Sequence, residues 1–309
     1  MIKTCLVISI NAYQKRKLKI QLDTIYRHVF LDYVVLINAS EQLYHNLNKC
    51  DWFKSLDKVL LNPQYIDKQR MHGSITHGIY LNIKFAKSTM MFDYFLVMSQ
   101  NCLFYKKLNT KHDLKNSSSV IEKHPVVISP LNRCSCKPVC KTDSLTGGGS
   151  CTREWESNYI LPLVNSAKYN GYQTKYGQLV GNTNSRCPTA RQHCWWWLQI
   201  LNTKLAQYIT EKNLKFFCSA HEGLVFDYTS CNNIMIFLDT YTDIRLDIFS
   251  FKCCAEEVAL QTIAGNSDGT MYYVGNGNEY LEKFLDIGPD RPVSNNRLIY
   301  KSRMRTSVL

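Results

Sequence analysis

The chain has 309 residues, 45% of them apolar and 20% charged, which suits a folded globular protein with a sizeable core and excludes wholesale disorder. Its 37 Lys+Arg outweigh 25 Asp+Glu, and the net charge of +12 points to an anionic partner: nucleic acid, a membrane surface or a phosphorylated small molecule. No run approaches the ~20 apolar residues of a membrane span, so none is expected.

The opening MIKTCLVISINAY is too short in its apolar run for a secretory leader and reads as a first strand, which predicts a cytoplasmic chain. Residues 4–10 (TCLVISI) form that buried strand. After a turn at Asn11–Lys15, a helix carries Leu18, Leu22, Ile25, Tyr26 and Val29 at three- and four-residue spacing. Residues 33–37 (YVVLI) are the second strand, ended by Asn38–Ala39–Ser40, and residues 58–61 the third. Ser74 is expected to cap a helix with Ile75, Ile79, Ile83 and Ala86 on one face. Residues 93–98 (DYFLVM) make a fourth strand, closed by Ser99–Gln100–Asn101. Such strand–helix units predict a mostly parallel sheet with helices on both faces. Asn11, Asn38 and Ser99–Asn101 then share the edge where such sheets bind ligands.

Residues 116–188 read as long loops over the active site and not as a second domain. A helix is predicted over Ala190–Thr210, with Trp195–Trp197, Leu198, Leu201, Leu205 and Tyr208, then a strand at 234–238 (IMIFL). Cys253–Ala264 reads as a short helix with Glu256 and Glu257 in its first turn, where the dipole favours negative charge. Of thirteen cysteines, Cys5, Cys102 and Cys218 sit in apolar runs as small hydrophobes. Cys134, Cys136, Cys140 and Cys151 cluster without the paired C-x2-C spacing of a zinc site, so a reduced or partly oxidised loop is expected there.

Several segments together resemble one family. RMHGSITHGIYLNIKFA followed by FDYFLVMSQNCLF is similar to a Gly-Ser helix start, a long helix and then "aromatic-Asp-Tyr-Phe, apolar, Leu-Ser-Gly-x-Asp-x-Pro". QLDTIYRHV resembles the family's helix after strand one, and HCWWWLQILNTKLAQYI its aromatic-rich acceptor-side helix. Ala255 to Ile263 (AEEVALQTI) resembles "Pro-Asp-Glu-x-aromatic-aromatic-x-Thr-Leu". These are features of the core-2/I-branching N-acetylglucosaminyltransferase and peptide O-xylosyltransferase group, inverting, metal-independent enzymes of GT-A (Rossmann-like) fold. Two departures stand out. The family's His-Val-Asp after strand two is Leu36-Ile37-Asn38, and its Leu-Ser-Gly-x-Asp is Met-Ser-Gln-Asn-Cys.

The resemblance implies one GT-A-like domain over 1–309, with residues 1–115 binding a nucleotide sugar, UDP-linked in the family, and 116–309 supplying acceptor binding and catalysis. It makes Glu257 the base, with Glu256 the preceding acidic position; Glu222, in SAHEG, is a rival base or an acceptor-binding carboxylate beside His221. Donor contacts are expected from Ile10, Asn11, Tyr13, Asn38, Ser99 and Asn101. The leaving diphosphate falls to Arg291 or Arg297 and to Lys301 or Arg303. Trp195 or Trp196 would meet a glycan or glycoprotein acceptor. The slot Val97–Cys102 has no carboxylate, and Asp239-Thr-Tyr-Thr-Asp243 is wrongly spaced for a metal clamp, so no metal cofactor is expected. The competing readings are a nucleic-acid-binding protein, for which no motif appears, and a catalytically inactive glycan-binding relative.

Overall fold

The computed structural model describes residues 2–68, 72–100, 102–116, 203–214, 217, 221–251, 255–276 and 298–301, with short strand segments at 119–120, 129–130, 172–173 and 179–180. Apolar runs without a polar face must be covered on both sides, and the first strands are. β1 (Leu6–Ala12) and β2 (Tyr33–Ala39) are buried at every position. They are joined by α1 (Lys15–His28), which turns Leu18, Leu22 and Ile25 inward. After α2 (Glu41–Asn48) come β3 (Val59–Leu61), α3 (Ser74–Thr89), β4 (Tyr94–Ser99) and β5 (Cys102–Phe104). The remaining elements used below are β6 (Ser119–Val120), α4 (Lys204–Glu211), β7 (Leu224–Asp227), α5 (Tyr228–Thr240), α6 (Thr242–Ser250), α7 (Ala259–Gly265), β8 (Met271–Tyr273), β9 (Gly275–Asn276) and β10 (Ile299–Lys301).

Seven strands form one sheet in the order β3-β2-β1-β4-β7-β8-β6. β3, β2, β1 and β4 are mutually parallel, and β7 is antiparallel to β4 and β8. The result is a mixed α/β structure with a mostly parallel sheet, compatible with a Rossmann-like fold. Alternate residues feed two cores. Val7, Leu36, Phe95, Val97 and Phe226 pack beneath α3, α5 and α7, while Leu6, Ile8, Ile10, Val35, Leu96 and Val225 pack beneath α1. No helix among the described residues is long and apolar enough to cross a membrane.

Four sequence expectations are corrected. The apolar run at 234–238 is not a strand but the middle of α5. Asp227 caps that helix by accepting from the Ser230 amide at 2.7 Å, and Ser230, Cys231, Ile234 and Leu238 are buried at helical spacing. Ser74 does not cap α3; it is the first helical residue, and the His72 Nδ1 accepts its amide at 3.0 Å. The helix predicted over Ala190–Thr210 does not run unbroken, because Thr203 is extended and its hydroxyl caps α4 at the Ala206 amide. The segment at Cys253–Ala264 is likewise divided: Ala255–Glu257 form a 3-10 turn, and α7 begins only after Val258. Residues 190–202 and Cys134, Cys136, Cys140 and Cys151 lie outside the described residues. Cys5 and Cys102 are buried in the core, as their apolar surroundings suggest.

Candidate active site

The register of the parallel strands brings their ends level. Asn11 lies opposite both Asn38 and Ser99, so these polar residues at or next to the ends of β1, β2 and β4 form one edge. The two asparagines are fixed by hydrogen bonds to neighbouring segments. The Asn11 carboxamide donates to the Ile75 carbonyl at 3.1 Å, and that of Asn38 to the Gln64 carbonyl at 2.7 Å. The Asn11 and Asn38 Oδ1 atoms are buried and accept no hydrogen bond among the described residues. Beneath this edge a buried polar network ties β1, β2, α3 and the loop after β3 together. Asn82 donates to the Ser9 hydroxyl at 3.0 Å and the Leu36 carbonyl at 3.2 Å, and accepts from Asn62 at 3.0 Å.

The slot after β4 has an internal use. Gln100, fully buried, accepts from the amides of Tyr13 at 2.9 Å and Gln14 at 3.0 Å and donates back to the Gln14 carbonyl. Gln21 of α1 donates to the carbonyls of Ser99 at 2.8 Å and Cys102 at 2.9 Å. In this slot, which carries no carboxylate, a carboxamide locks the β1–α1 turn. Ser99 is buried, with its hydroxyl 3.3 Å from the Cys102 thiol, and the Ile10 side chain is fully buried in the core facing α1. Tyr13 projects from the same edge, 42% exposed.

The carboxylates arrive from the other half of the sheet. Because β7 runs opposite to β4, its start lies beside the end of β4, and the Gly223 amide donates to the Val97 carbonyl at 2.9 Å. Gly223 adopts φ +88°, a left-handed conformation that a Cβ disfavours, and this turn delivers His221 and Glu222 just beyond the end of β4. The 3-10 turn brings Glu257 to meet them. Its backbone is braced by buried Ala255 and Val258, by Gln261 donating to the Glu256 carbonyl at 2.9 Å, and by Thr262 bonded to both backbone groups of Phe217.

The His221 Nδ1 is 3.5 Å from Glu222 Oε2 and 4.0 Å from Glu257 Oε1. Side-chain exposure separates the roles these groups can take: 9% for His221, 5% for Glu222 and 20% for Glu257. Glu257 is the most exposed of the trio. Glu256, 3% exposed, is not a solvated first-turn charge and stands outside the trio. One ligand atom from each of His221, Glu222 and Glu257 lies within 4.8 Å of the others, a set that could hold a metal ion.

Sequence reasoning missed one residue at this edge. The half-buried Lys68 donates from Nζ to the Asn38 carbonyl at 3.1 Å and the Ile66 carbonyl at 3.2 Å. A Cβ on Gly78 of α3 would lie 2.4 Å from Asn11 Oδ1 and 2.9 Å from Lys68 Cε, so the glycine makes room for both side chains. Nothing in the string NPQYIDKQR marks this lysine; only burial does. Asp239 and Asp243 have other partners: Lys84 and Arg245 for Asp239, Lys204 for Asp243. Asn101, Arg291, Arg297, Arg303, Trp195 and Trp196 lie outside the described residues. For Lys301 the backbone is described, and it pairs with Cys102, beside the end of β4.

No protein-family model matches the chain, and no curated protein matches it significantly.

Proposed function

We propose that the chain is an inverting glycosyltransferase of GT-A type, which moves N-acetylglucosamine, xylose or a similar sugar from a UDP-linked donor to a glycan or protein hydroxyl without a bound metal ion. The observation that carries this reading is the meeting of the accessible Glu257 carboxylate with His221 and Glu222 at the strand ends where Asn11, Asn38 and Ser99 also converge. Donor nucleotide and base are then neighbours on one edge. Glu257 takes the proton of the acceptor hydroxyl as its oxygen attacks the anomeric carbon. The bond to the diphosphate breaks on the opposite face, so an α-linked donor gives a β-linked product. Cationic side chains balance the departing diphosphate; of the residues expected to do so, Lys301 has a backbone that pairs with Cys102, just after β4.

One observation favours a second reading. The ligand atoms of His221, Glu222 and Glu257 are close enough to share a metal ion, which would make the trio the centre of a metal-dependent enzyme. A radiometric transfer assay with a panel of UDP-sugars and mixed glycan acceptors, run with and without EDTA, separates the two. Transfer unchanged within about twofold by EDTA is expected. A chelator-induced loss that Mn²⁺ or Zn²⁺ restores would move the trio to the second reading, and no transfer from any donor would sink the first.

The glycine beneath the edge supplies a further test. Gly78→Ala removes a helix-interior glycine, worth about 1 kcal/mol in favour of the variant, but its Cβ displaces Asn11 and Lys68. The melting temperature is expected to stay within a few degrees of wild type while UDP-sugar affinity by calorimetry falls about tenfold. Unchanged affinity would remove this corner from the donor site.

A further inference from the structure

We propose that Lys68 is the anion-binding residue of this edge, its ammonium group serving as counter-charge to a diphosphate; only the identity of that anion, the donor's leaving group, rests on the transferase reading. The argument begins with what surrounds the ammonium. Two of its three donors are held by neutral backbone carbonyls, those of Asn38 and Ile66, and no carboxylate lies within 4.0 Å of it among the described residues. A cation drawn out of water with dipoles but no opposite charge is under-compensated, and an arriving anion supplies what is missing.

The charged and titratable groups around it do not fill that role. On its own segment, Asp67 faces the Glu41 amide, accepting from it at 3.4 Å, and only partly supports the charge on Lys68. From α3 comes His77, held down to about 4 by burial and by the charges of Arg245 and Lys68, so it is neutral near pH 7. β1 and β2 contribute the uncharged Asn11 and Asn38. Burial therefore pushes the Lys68 ammonium down to about 7. α3, whose Gly78 lies against the Lys68 stem, has no acidic residue in its first turn to oppose an anion.

The position assigns Lys68 a task otherwise expected of Arg291 or Arg297 and Lys301 or Arg303. Binding of a dianion raises the folded-state pKa of the lysine, so the empty protein takes up a proton on binding whenever the pH exceeds about 7. Affinity is then greatest below that pH and declines above it, toward tenfold per unit.

The test uses the full chain and inorganic pyrophosphate, with the Lys68→Met variant, which keeps the apolar stem. The ratio of wild-type to variant affinity cancels the titration of the ligand itself. It is expected to be ~10–100 at pH 6 and to fall steadily above pH 7. A ratio within twofold at every pH overturns the proposal. Should the variant fail to fold, calorimetry of wild type with UDP-N-acetylglucosamine at pH 8 in two buffers of different ionisation enthalpy decides the matter. Close to one proton taken up supports Lys68, and none overturns it. Pyrophosphate held through Lys68 with no sugar transferred by wild type would leave this proposal standing and remove the transferase. Undiminished transfer and donor affinity in Lys68→Met would do the reverse.

Discussion

Glu257→Gln is expected to lower kcat for sugar transfer by ~10²–10⁴, the usual contribution of a positioned general base, with donor Kd and melting temperature nearly unchanged. The amide keeps the shape of the carboxylate but cannot accept the acceptor's proton. Because the Glu257 side chain is 20% exposed, whereas Glu222 is 5% exposed, the two substitutions should behave differently. Glu222→Gln disturbs a buried group packed against His221 and should lower stability as well as rate. A structural role for Glu257 would show as a stability loss without a selective fall in kcat. If the trio instead held a metal, Glu257→Gln would weaken metal affinity, and excess Mn²⁺ or Zn²⁺ would recover part of the rate. Wild-type turnover in Glu257→Gln, measured at saturating donor, would end its assignment as the base.

The half of this edge that comes from β1, β2 and β4 was legible in the sequence, and the reason is physical. Strands buried on both faces appear as mainly apolar runs, and in these three an Asn or Ser stands at or next to the last position. That rule puts Asn11, Asn38 and Ser99 on one edge from the sequence alone, as the strand register also does. It failed at Ile234–Leu238 because a short apolar run in a buried helix looks the same as a strand; the Asp227 and Ser230 pair upstream was the discriminating signal. Glu222 and Glu257 could be named from local motifs, but their convergence depends on the reversed direction of β7 and on a single glycine turn, neither of which periodicity reports. Lys68 could not be named at all. Its chemistry comes from two backbone carbonyls and a glycine on another helix, and those partners are brought together only by the fold.

The largest effect on stability is expected from Gly73→Ala, just before α3. Its backbone, at φ −54°, ψ −15°, suits any residue, so conformational freedom is not what the glycine provides. It provides closeness. A Cβ there would fall 1.8 Å from the Ile248 carbonyl oxygen and 2.9 Å from the Phe249 carbonyl carbon, backbone atoms near the end of α6 that cannot rotate away. The Gly73 amide donates to the Phe251 carbonyl at 2.7 Å, tying the two segments at the same point. Accommodating a methyl group means separating α6 from the start of α3, at a cost at the upper end of the ~1–3 kcal/mol usual for overpacking. For a chain of this size that corresponds to a fall in melting temperature of roughly 5–10 °C by calorimetry. Gly73 is also the N-cap, so capping must be separated from sterics. Serine is a better cap than glycine or alanine but carries the same Cβ, and Gly73→Ser should therefore be as unstable as Gly73→Ala. Recovery of wild-type stability by serine would show that capping, and not close approach of backbones, governs the position. Because Ser74 through Gly78 lie immediately downstream, the same displacement would shift the Ile75 carbonyl that anchors Asn11, and donor affinity should fall together with stability.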